Sequence, residues 1–369
     1  MKKVLFIFGT RPEIIKLAPV IKAADGEGLR AVVLHTGQHR EIADEMLRLF
    51  QIHPDINLDV MRSNQTLFSL TSRILENFER VFNAEKYDMI VVQGDTTSAF
   101  LGALAGYYSK TPVAHVEAGL RSNDKFSPFP EEINRRLAGS LTDLHFPPTE
   151  LSRKNLLKEG VNPKNIHVTG NTVIDALLWA LKLPYEAPDA LKPVFKSGKK
   201  IILVTSHRRE SFGEPQRRVF KALLEIVEFV ENSMVLFPVH PNPNVIKEVS
   251  EILKNHSRIH LCSPLGYLDF IHAMEKSELV LSDSGGVQEE APSLKKPVLV
   301  LRDVTERPEG LDSGALKLVG TDDEKIFSEA VKLLTDKGAY AEMTKNPNPY
   351  GDGRASLRII KSIKLFLDE

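Results

Sequence analysis

The sequence has a single cysteine, Cys262, among its 369 residues. One thiol excludes an internal disulfide, and without clustered partners it excludes a cysteine-based zinc site. The chain also lacks a surplus of charge of either sign, since its 48 basic side chains nearly balance its 49 acidic ones. It therefore has no general basic field of the kind that binds nucleic acid or an anionic membrane surface. Any anion site must come from a local concentration of charge.

Long apolar runs are missing as well, because no stretch approaches the roughly 20 apolar residues of a membrane-spanning helix. The chain begins with an apolar run at residues 4–8 that is too short for a signal peptide. Arg11, Glu13 and Lys16 follow that run at once. We therefore expect a cytoplasmic protein whose first residues form a buried strand.

Four well-known site signatures are absent from the chain. It has no H-E-x-x-H zinc motif, no P-loop, no G-x-S-x-G elbow and no G-x-G-x-x-G dinucleotide fingerprint. These absences argue against a zinc protease, a P-loop nucleotidase, an α/β-hydrolase and an NAD-dependent dehydrogenase. We expect neither a metal nor a nicotinamide cofactor.

Short apolar runs alternate with longer amphipathic segments, a rhythm that predicts strands alternating with helices. The first series predicts strands at 4–8, 31–36, 89–93, 113–117 and 144–146, with helices at 11–22, 40–50 and 97–108. The second predicts strands at 201–206, 234–239, 259–262, 279–282, 298–301 and 316–319, with helices at 217–231, 244–255 and 355–367. The strands are apolar over most of their length rather than alternating, which indicates parallel sheets covered by helices on both faces.

The two series predict an α/β fold of two Rossmann-like, doubly wound domains. We place the first at residues 1–172, with the final helix at 355–369 packing back on it, and the second at 173–354. A Pro- and Lys-rich stretch of weak pattern suggests a hinge around 170–198. Doubly wound sheets bind ligands at the carboxyl ends of their strands, so we expect the ligand in a crevice between the domains.

Two strand-to-helix turns are candidate anion sites. Gly9 permits a tight turn before the first helix, whose free N–H groups could bind an anion beside Arg11 and Lys16. The alternative for this turn is a plain connection with a surface arginine. The second turn combines two glycines, a serine that can cap the following helix, and an acid about one helical turn later that suits the two hydroxyls of a ribose. Arg307 could close over a diphosphate bound at this turn. Its residues are Ser284, Gly285, Gly286 and Glu290.

Three acids follow predicted strands or open a predicted helix: Asp95, Glu117 and Glu131. If they gather at one point, their repulsion raises at least one pKa and provides an acid and a base near neutrality. Alone, Asp95 could be a helix cap and Glu131 could complement a helix dipole. In the second half, His207 ends a strand beside two arginines, and His240 ends the next one.

At these residues the sequence resembles the non-hydrolysing UDP-N-acetylglucosamine 2-epimerases. The matching stretches run through nearly the whole chain in order: GTRPEIIKLAP (9–19), TGQHRE (36–41), QGDTTS (93–98), HVEAGLRS (115–122), SPFPEEINRR (127–136), VTGNTVIDAL (168–177), SHRRESFGEP (206–215), SDSGGVQEEAPSLKKPVLVLRDVTERPEG (282–310) and NPYGDG (348–353). The resemblance implies a GT-B-type fold, a homodimer, no NAD and no required metal.

The resemblance also assigns roles to particular residues. Catalytic roles fall on Asp95, Glu117, Glu131 and His207. Substrate contacts fall on Arg11, Lys16, Arg135, Ser284, Gly285, Gly286, Glu290 and Arg307, with Leu265 and Phe270 flanking the uracil. The implied reaction is reversible inversion of carbon 2 of the UDP-sugar by elimination and re-addition of UDP, supplying N-acetylmannosamine units for surface polysaccharide.

Some bacterial members of the family bind a second UDP-N-acetylglucosamine as an activator. Gln38, Glu131, Arg208 and His240 match that site, whereas Glu41 stands in place of Gln and Asn64 in place of Arg. An added carboxylate and a lost arginine should weaken the binding of a diphosphate. The sequence thus predicts weaker allosteric control.

Four other functions remain open at this point. They are epimerisation of another UDP-sugar such as a 2,3-diacetamido uronate, hydrolysis to free N-acetylmannosamine, glycosyl transfer by a GT-B enzyme, and non-catalytic sensing of a nucleotide sugar. An extra carboxylate on the sugar would need an extra cation, and a transferase would need an acceptor groove. A sensor would not need Asp95, Glu117 and Glu131 to converge.

Overall fold

The computed structural model describes residues 1–38, 40–62, 64–208, 212–254 and 256–369, and the side chains of residues 40–42 also lie outside the description. The described chain forms two compact units. The first is Met1–Trp179 with Tyr350–Glu369, and the second is Ala180–Pro349.

The unit boundaries differ from the predicted 172/173 and 354/355. Residues 173–179 stay with the first unit because Trp179 stacks on Phe50 at 5.1 Å between ring centroids. Lys22 also lies 5.0 Å from the Trp179 ring. Asp175 accepts the backbone N–H groups of Ala355 (3.1 Å) and Ser356 (2.8 Å), which fixes the start of the final helix in the same unit.

Within the described residues, the first unit contains a six-stranded parallel sheet in the order β3-β2-β1-β4-β5-β6. Its strands are β1 (Lys3–Phe8), β2 (Arg30–His35), β3 (Ile56–Asn57), β4 (Met89–Gln93), β5 (Val113–Val116) and β6 (Leu144–Phe146). Its helices are α1 (Arg11–Gly26), α2 (Arg40–Leu49), α3 (Leu67–Ala84), α4 (Thr97–Ser109), α5 (Glu131–Ser140), α6 (Glu150–Lys158), α7 (Thr172–Ala180, whose last residue falls in the second unit) and α16 (Ala355–Asp368).

The second unit repeats this topology with a six-stranded parallel sheet in the order β12-β11-β10-β7-β8-β9 among its described residues. The strands are β7 (Lys200–Thr205), β8 (Ser233–Pro238), β9 (Ile259–Cys262), β10 (Ser277–Ser282), β11 (Val298–Val300) and β12 (Leu316–Leu318). The helices are α8 (Lys192–Phe195), α9 (Glu214–Phe229), α10 (Pro243–Ile252), α11 (Tyr267–Lys276), α12 (Gly285–Glu290), α13 (Pro308–Asp312), α14 (Asp323–Thr335) and α15 (Lys337–Thr344). The expected α/β class with two Rossmann-like halves is confirmed.

Burial explains why these segments form central strands. Val4, Leu5, Phe6, Ile7 and Phe8 are all fully buried, as a strand covered on both faces must be. The central strands of the second unit follow the same pattern, with 0% exposure at most of their apolar positions. No helix in the described ranges is both long and apolar enough to cross a membrane.

The strand order of each unit reverses once. The reversal lies between β1 and β4 in the first unit and between β7 and β10 in the second. In an open parallel sheet, this switch point leaves a crevice at the carboxyl ends of the two strands, because the helices that follow them lie on opposite faces. The residues just after β1, β4, β7 and β10 therefore define where to look for a ligand.

Candidate functional site

The turn after β1 presents the first candidate anion contacts. Pro12 lies in the first turn of α1, as expected from its fixed φ. Arg11 is exposed at the helix start, whereas Lys16 is mostly buried, with 15% of its side chain exposed. The Lys16 Nζ lies 2.5 Å from Glu117 Oε1, so this lysine is joined to a predicted catalytic acid at the end of β5.

Asp95 follows β4 at the switch point of the first sheet. Its carboxylate is 2.5 Å from Arg135 Nη2, and its backbone carbonyl accepts the side-chain amide of Asn134 at 2.9 Å. Burial raises the pKa of Asp95 above its usual value; the Arg135 guanidinium opposes that rise and the Glu117 charge adds to it. The cap of α4 is Thr96, whose hydroxyl accepts the Ala99 N–H, so the alternative of Asp95 as a helix cap is wrong.

Glu117 follows β5 in a backbone conformation that non-glycine residues rarely adopt, with φ at +64°. Its side chain is buried and anchored on both oxygens: Gln93 Nε2 donates to Oε2, and Asn171 Nδ2 donates to Oε1 at 3.0 Å. With Lys16, these donors hold the carboxylate in one orientation. Strained and over-determined residues of this kind cluster at functional sites.

Asp95 and Glu117 are brought together, as the sequence predicted for the ends of adjacent strands. A β-carbon on the intervening Gly94 would lie 3.7 Å from Glu117 Oε2. The Gly94 carbonyl is in turn 2.7 Å from the His115 Nε2. Burial lowers the pKa of His115 to about 4, so the ring is neutral and helps to fix the turn that carries Asp95.

Glu131 is the first residue of α5, four residues before Arg135 and therefore on the same helix face. Its Oε2 atom is buried and has no hydrogen-bond partner among the described residues. The neighbouring Glu132 has a structural part, because its fully buried carboxylate accepts the Ser122 N–H at 3.0 Å and binds Arg136 at 2.9 Å. An unpartnered carboxylate oxygen is the group expected of an acid or base awaiting a substrate.

His207 follows β7 at the switch point of the second sheet. Its Nδ1 lies 3.0 Å from Asp283, which is fully buried and also accepts the backbone N–H groups of His207 (2.6 Å) and Arg208 (2.8 Å). Burial alone would raise the pKa of Asp283, but these contacts hold it below its usual value. The ionised Asp283 thus holds the Nδ1 side of the His207 ring.

The turn after β10 brings together the residues predicted to hold a diphosphate. A β-carbon on Gly285 would lie 3.8 Å from Arg307 Nη2, and one on Gly286 would lie 3.9 Å from Ser284 Oγ and 4.0 Å from Glu290 Oε2. Ser284 occupies the cap position of α12, but its side chain makes no capping bond. That serine was predicted to cap through its hydroxyl, and the hydroxyl instead lies beside the glycines.

The side chains around this turn are fixed from behind. Arg307 Nε donates to Glu289, a buried acid, and Tyr267 donates its hydroxyl to Glu290 at 3.3 Å. Burial holds the pKa of Tyr267 well above its usual value, so the phenol stays a donor. Arg307 and Glu290, the two side chains predicted to contact a ligand at this turn, are therefore oriented by other protein side chains.

The two predicted uracil neighbours lie on either side of Gly266. Leu265 forms part of the wall of a cavity of about 1020 Å³, beside Leu261, Cys262 and Val239. Phe270 lies in the first turn of α11 and is half-buried; it does not line that cavity. Their contact with a base stays a prediction.

The residues matched to an activator site are placed in both units. Gln38 accepts the Ser98 hydroxyl at 3.1 Å in the first unit. In the second, the His240 ring stacks on His207 with centroids 5.8 Å apart, and Arg208 follows His207 directly. The Glu41 side chain lies outside the described residues. Binding of an activator by this set stays a prediction.

Several residues that hold the candidate acids and His207 were not predicted from the sequence. Gln93 and Asn171 anchor Glu117, Asn134 binds the Asp95 backbone, and Asp283 fixes His207. Gln93, Asn171 and Asp283 all lie inside the quoted motifs QGDTTS, VTGNTVIDAL and SDSGG, which was the one signal available. In the described part of the chain, no group of three or more His, Cys, Asp or Glu side chains is placed to hold a metal ion.

Two Rossmann-like units, one with anchored acids at its switch point and one with a glycine turn beside serine, glutamate and arginine, define the GT-B-type class of nucleotide-sugar enzymes. Within that class, the chain belongs to the UDP-N-acetylglucosamine 2-epimerase family. The family model of that description matches residues 22–364.

Individual relatives support the same placement. A UDP-N-acetylglucosamine 2-epimerase of Yersinia pestis is 52% identical over 98% of both chains. The solved UDP-GlcNAc 2-epimerase of Neisseria meningitidis, bound to UDP-GlcNAc, is 43% identical with a TM-score of 0.87, covering 98% of this chain and 100% of that one. The Methanocaldococcus jannaschii enzyme, in complex with UDP-GlcNAc and UDP, is 36% identical with a TM-score of 0.77, covering 99% and 100%.

Proposed function

We propose that this protein interconverts UDP-N-acetylglucosamine and UDP-N-acetylmannosamine by inverting carbon 2 of the sugar. The observation that carries the proposal is the pair of anchored acids at adjacent strand ends, Asp95 on Arg135 and Glu117 on Lys16, in a chain of the epimerase family. A glycosyltransferase of the same fold needs at most one general base, so the second anchored acid would be surplus. We further propose that the product serves surface polysaccharide synthesis and that the reaction runs in the cytoplasm.

The chemistry explains why several acids are needed. The C2 hydrogen of the sugar is not next to a carbonyl, so direct removal near pH 7 is too slow. When the C1–O bond breaks and its electron pair leaves with UDP, C1 gains oxocarbenium character and the C2–H bond becomes acidic. A carboxylate takes that proton, the C1–C2 double bond forms, and 2-acetamidoglucal and UDP result. Re-addition delivers a proton to the opposite face of C2 while the C1–O bond to UDP re-forms.

The first unit supplies the proton-transfer groups of this proposal. Asp95 and Glu131 are the candidates for the two proton transfers, because one has a raised pKa and the other has a buried, unpartnered oxygen. Glu117 is held so firmly by three donors that we assign it to orienting the sugar or assisting the transfer. Lys16 adds positive charge beside Glu117, and we assign Arg11, which is exposed at the start of α1, to the leaving diphosphate.

The second unit anchors the leaving group. The backbone at Gly285 and Gly286 permits a phosphate to approach closely, and Ser284 and Arg307 offer donors to its oxygens. Glu290 suits the two ribose hydroxyls. His207, with Nδ1 held by Asp283, presents Nε2 to the β-phosphate.

The proposal is tested by incubating the purified protein with UDP-N-acetylglucosamine alone and following the products by proton and phosphorus NMR. We expect a stable mixture of the two UDP-sugars with no net release of UDP. Accumulation of UDP with free N-acetylmannosamine would instead identify a hydrolysing enzyme. No reaction without an added acceptor would favour a glycosyltransferase. Turnover of a diacetamido uronate alone would reassign the substrate.

We also propose a homodimer, as the resemblance implies. Large apolar side chains are exposed on three helices of the first unit that pack side by side, α3, α4 and α5. They are Leu67, Phe68, Tyr107, Tyr108, Ile133 and Leu137. Exposed apolar side chains on neighbouring helices are candidates for an interaction surface in a soluble protein. A second copy of the chain would cover them.

Placing a charge on this surface is expected to separate the dimer. Tyr108→Glu and Leu137→Glu put a carboxylate where 70% and 43% of the original side chain is exposed, so each variant should still fold. Sedimentation velocity should show a dimer for the wild type and mostly monomer for these variants. Leu365→Glu, at 69% exposure on α16 of the same unit, is the matched control and should stay dimeric. Unchanged dimers in all three would place the interface elsewhere.

A further inference from the structure

Glu13 is a carboxylate with no assigned part in the reaction. It lies in the first turn of α1 and is 1% exposed. Its Oε2 accepts three hydrogen bonds from the turn after β1: the Gly9 N–H at 3.1 Å, the Thr10 N–H at 2.8 Å and the Thr10 hydroxyl at 2.7 Å. This half of the carboxylate is an ordinary helix cap.

The other oxygen of Glu13 reaches a different part of the sheet. Oε1 accepts the Thr96 hydroxyl at 2.7 Å, and Thr96 directly follows Asp95. The same hydroxyl oxygen accepts the Ala99 N–H at 3.0 Å as the cap of α4. Because the oxygen of Thr96 accepts from Ala99, the single proton of this hydroxyl is donated to Glu13. One carboxylate therefore bridges the turns that follow β1 and β4, the two strands at the switch point.

We propose that Glu13 is a positioning residue for the epimerase reaction, holding the turn that carries Arg11 in register with the turn that carries Asp95. This inference rests on the function proposed above. In the proposed reaction Arg11 contacts the leaving diphosphate and Asp95 takes up the C2 proton. The distance between these two residues therefore decides whether both can act on the substrate at the same time. A misplacement of about 1 Å can reduce a rate about 10²-fold.

The bridge requires the ionised form of Glu13. All four of its hydrogen-bond partners donate, and only the two threonine hydroxyls could accept a proton in return. Burial raises the pKa of Glu13 to about 7, against the opposing effect of the hydrogen bonds from Thr10, Thr96 and Gly9. Protonation as the pH falls through that value would reverse one threonine bond and loosen the bridge.

Other titratable groups lie on the elements around Glu13. They are Arg11 and Lys16 on α1, His35 at the end of β2 and Asp95 before α4. Burial lowers the pKa of His35 and raises that of Asp95. Protonation of Asp95 would also lower the activity of the enzyme at acidic pH. A variant of Glu13 is therefore needed to separate the effect of Glu13 from that of Asp95.

Glu13→Gln provides the direct test. The amide keeps the size of the side chain but has one accepting oxygen, so it can accept from the α1 cap or from Thr96, but not from both. We expect kcat to fall about tenfold or more, with a smaller change in KM. The acid limb of kcat should also flatten, since glutamine does not titrate. Wild-type kcat with an unchanged acid limb would overturn the inference.

Thr96→Val breaks the bridge from the other side and leaves the α1 cap intact. Its matched control is Thr66→Val, which removes the hydroxyl that caps α3 through the Ser69 N–H. Each variant should lose about 1 kcal/mol of stability. Only Thr96→Val should also lose turnover, and Thr96→Ser should restore most of it. Equal turnover in the two valine variants would overturn the inference, whereas a wild type that fails to interconvert the UDP-sugars would overturn the proposed function instead.

Discussion

Asp95→Asn is expected to fold like the wild type and to lose at least about 10²-fold in kcat, the size of effect expected for a proton-transfer group. Asparagine matches aspartate in shape and can still accept a hydrogen bond from Arg135, which lies 2.5 Å from the carboxylate. It cannot take up the C2 proton. Because burial raises the pKa of Asp95, the wild-type carboxylate is a stronger base than an ordinary aspartate.

Steady-state turnover of UDP-N-acetylglucosamine, with UDP affinity measured by calorimetry, checks this result. UDP should bind Asp95→Asn as it binds the wild type, because the proposed function assigns the nucleotide to residues of the second unit. Glu159→Gln is a suitable control: this acid of the same unit pairs with Arg121 at 2.6 Å and has no part in the proposed chemistry. Near-wild-type turnover by Asp95→Asn would remove Asp95 from the mechanism.

Glu117→Gln is expected to lose about 10²-fold or more in kcat and also to destabilise the first unit. The carboxylate accepts from Lys16, Gln93 and Asn171, so an amide would turn an N–H toward a donor. Lys16 is largely buried and would lose the negative charge of its 2.5 Å partner, at a cost on the order of 2 kcal/mol. This double effect separates Glu117 from Asp95, whose substitution should alter rate alone.

Thermal unfolding and turnover of the same preparation are the measurements for Glu117. We expect a lower Tm together with the loss of kcat, at temperatures where the variant remains folded. Asn171→Leu removes one donor and keeps the carboxylate, so it should lose less activity than Glu117→Gln. A Glu117→Gln variant with wild-type stability and turnover would contradict the role assigned to the anchored carboxylate.

Much of the fold was predictable because a buried parallel sheet has a local signature. Residues 4–8 and 89–92 are apolar throughout, and both lie in central strands of the first sheet. The two-residue strand Ile56–Asn57 was missed, since so short a segment has no period to detect. The helix Leu67–Ala84 was also missed, although it is one of the longest of the first unit.

The site was predictable to the extent that it follows from topology. Asp95, Glu117, His207 and Ser284 each lie within two residues of the end of a strand, and within one parallel sheet the carboxyl ends of the strands meet at one edge. What topology cannot give is the partner of each acid. Glu117 meets Lys16 and Asn171 across 101 and 54 residues of sequence, and contacts of that range have no local pattern.

The strained backbone of Glu117 and the buried hydrogen-bond bridge of Glu13 could likewise not be predicted from the sequence. Nothing in the letters around Glu117 indicates a φ of +64°, because that conformation is imposed by the surrounding contacts. Glu13 resembles an ordinary capping acid in the sequence, and only the structure brings its second oxygen to Thr96. The end of the first unit at Trp179 depends on a ring stack with Phe50 that also joins distant segments.

The central claim is that acids of the first unit exchange the C2 proton while UDP departs. Incubation of the protein with UDP-N-acetylglucosamine in D₂O, followed by NMR of the sugar, tests it most directly. The account predicts UDP-N-acetylmannosamine carrying deuterium at C2, with label also entering the recovered substrate at equilibrium. Product that retains its original C2 hydrogen would contradict proton exchange by Asp95 and Glu131 and the elimination itself.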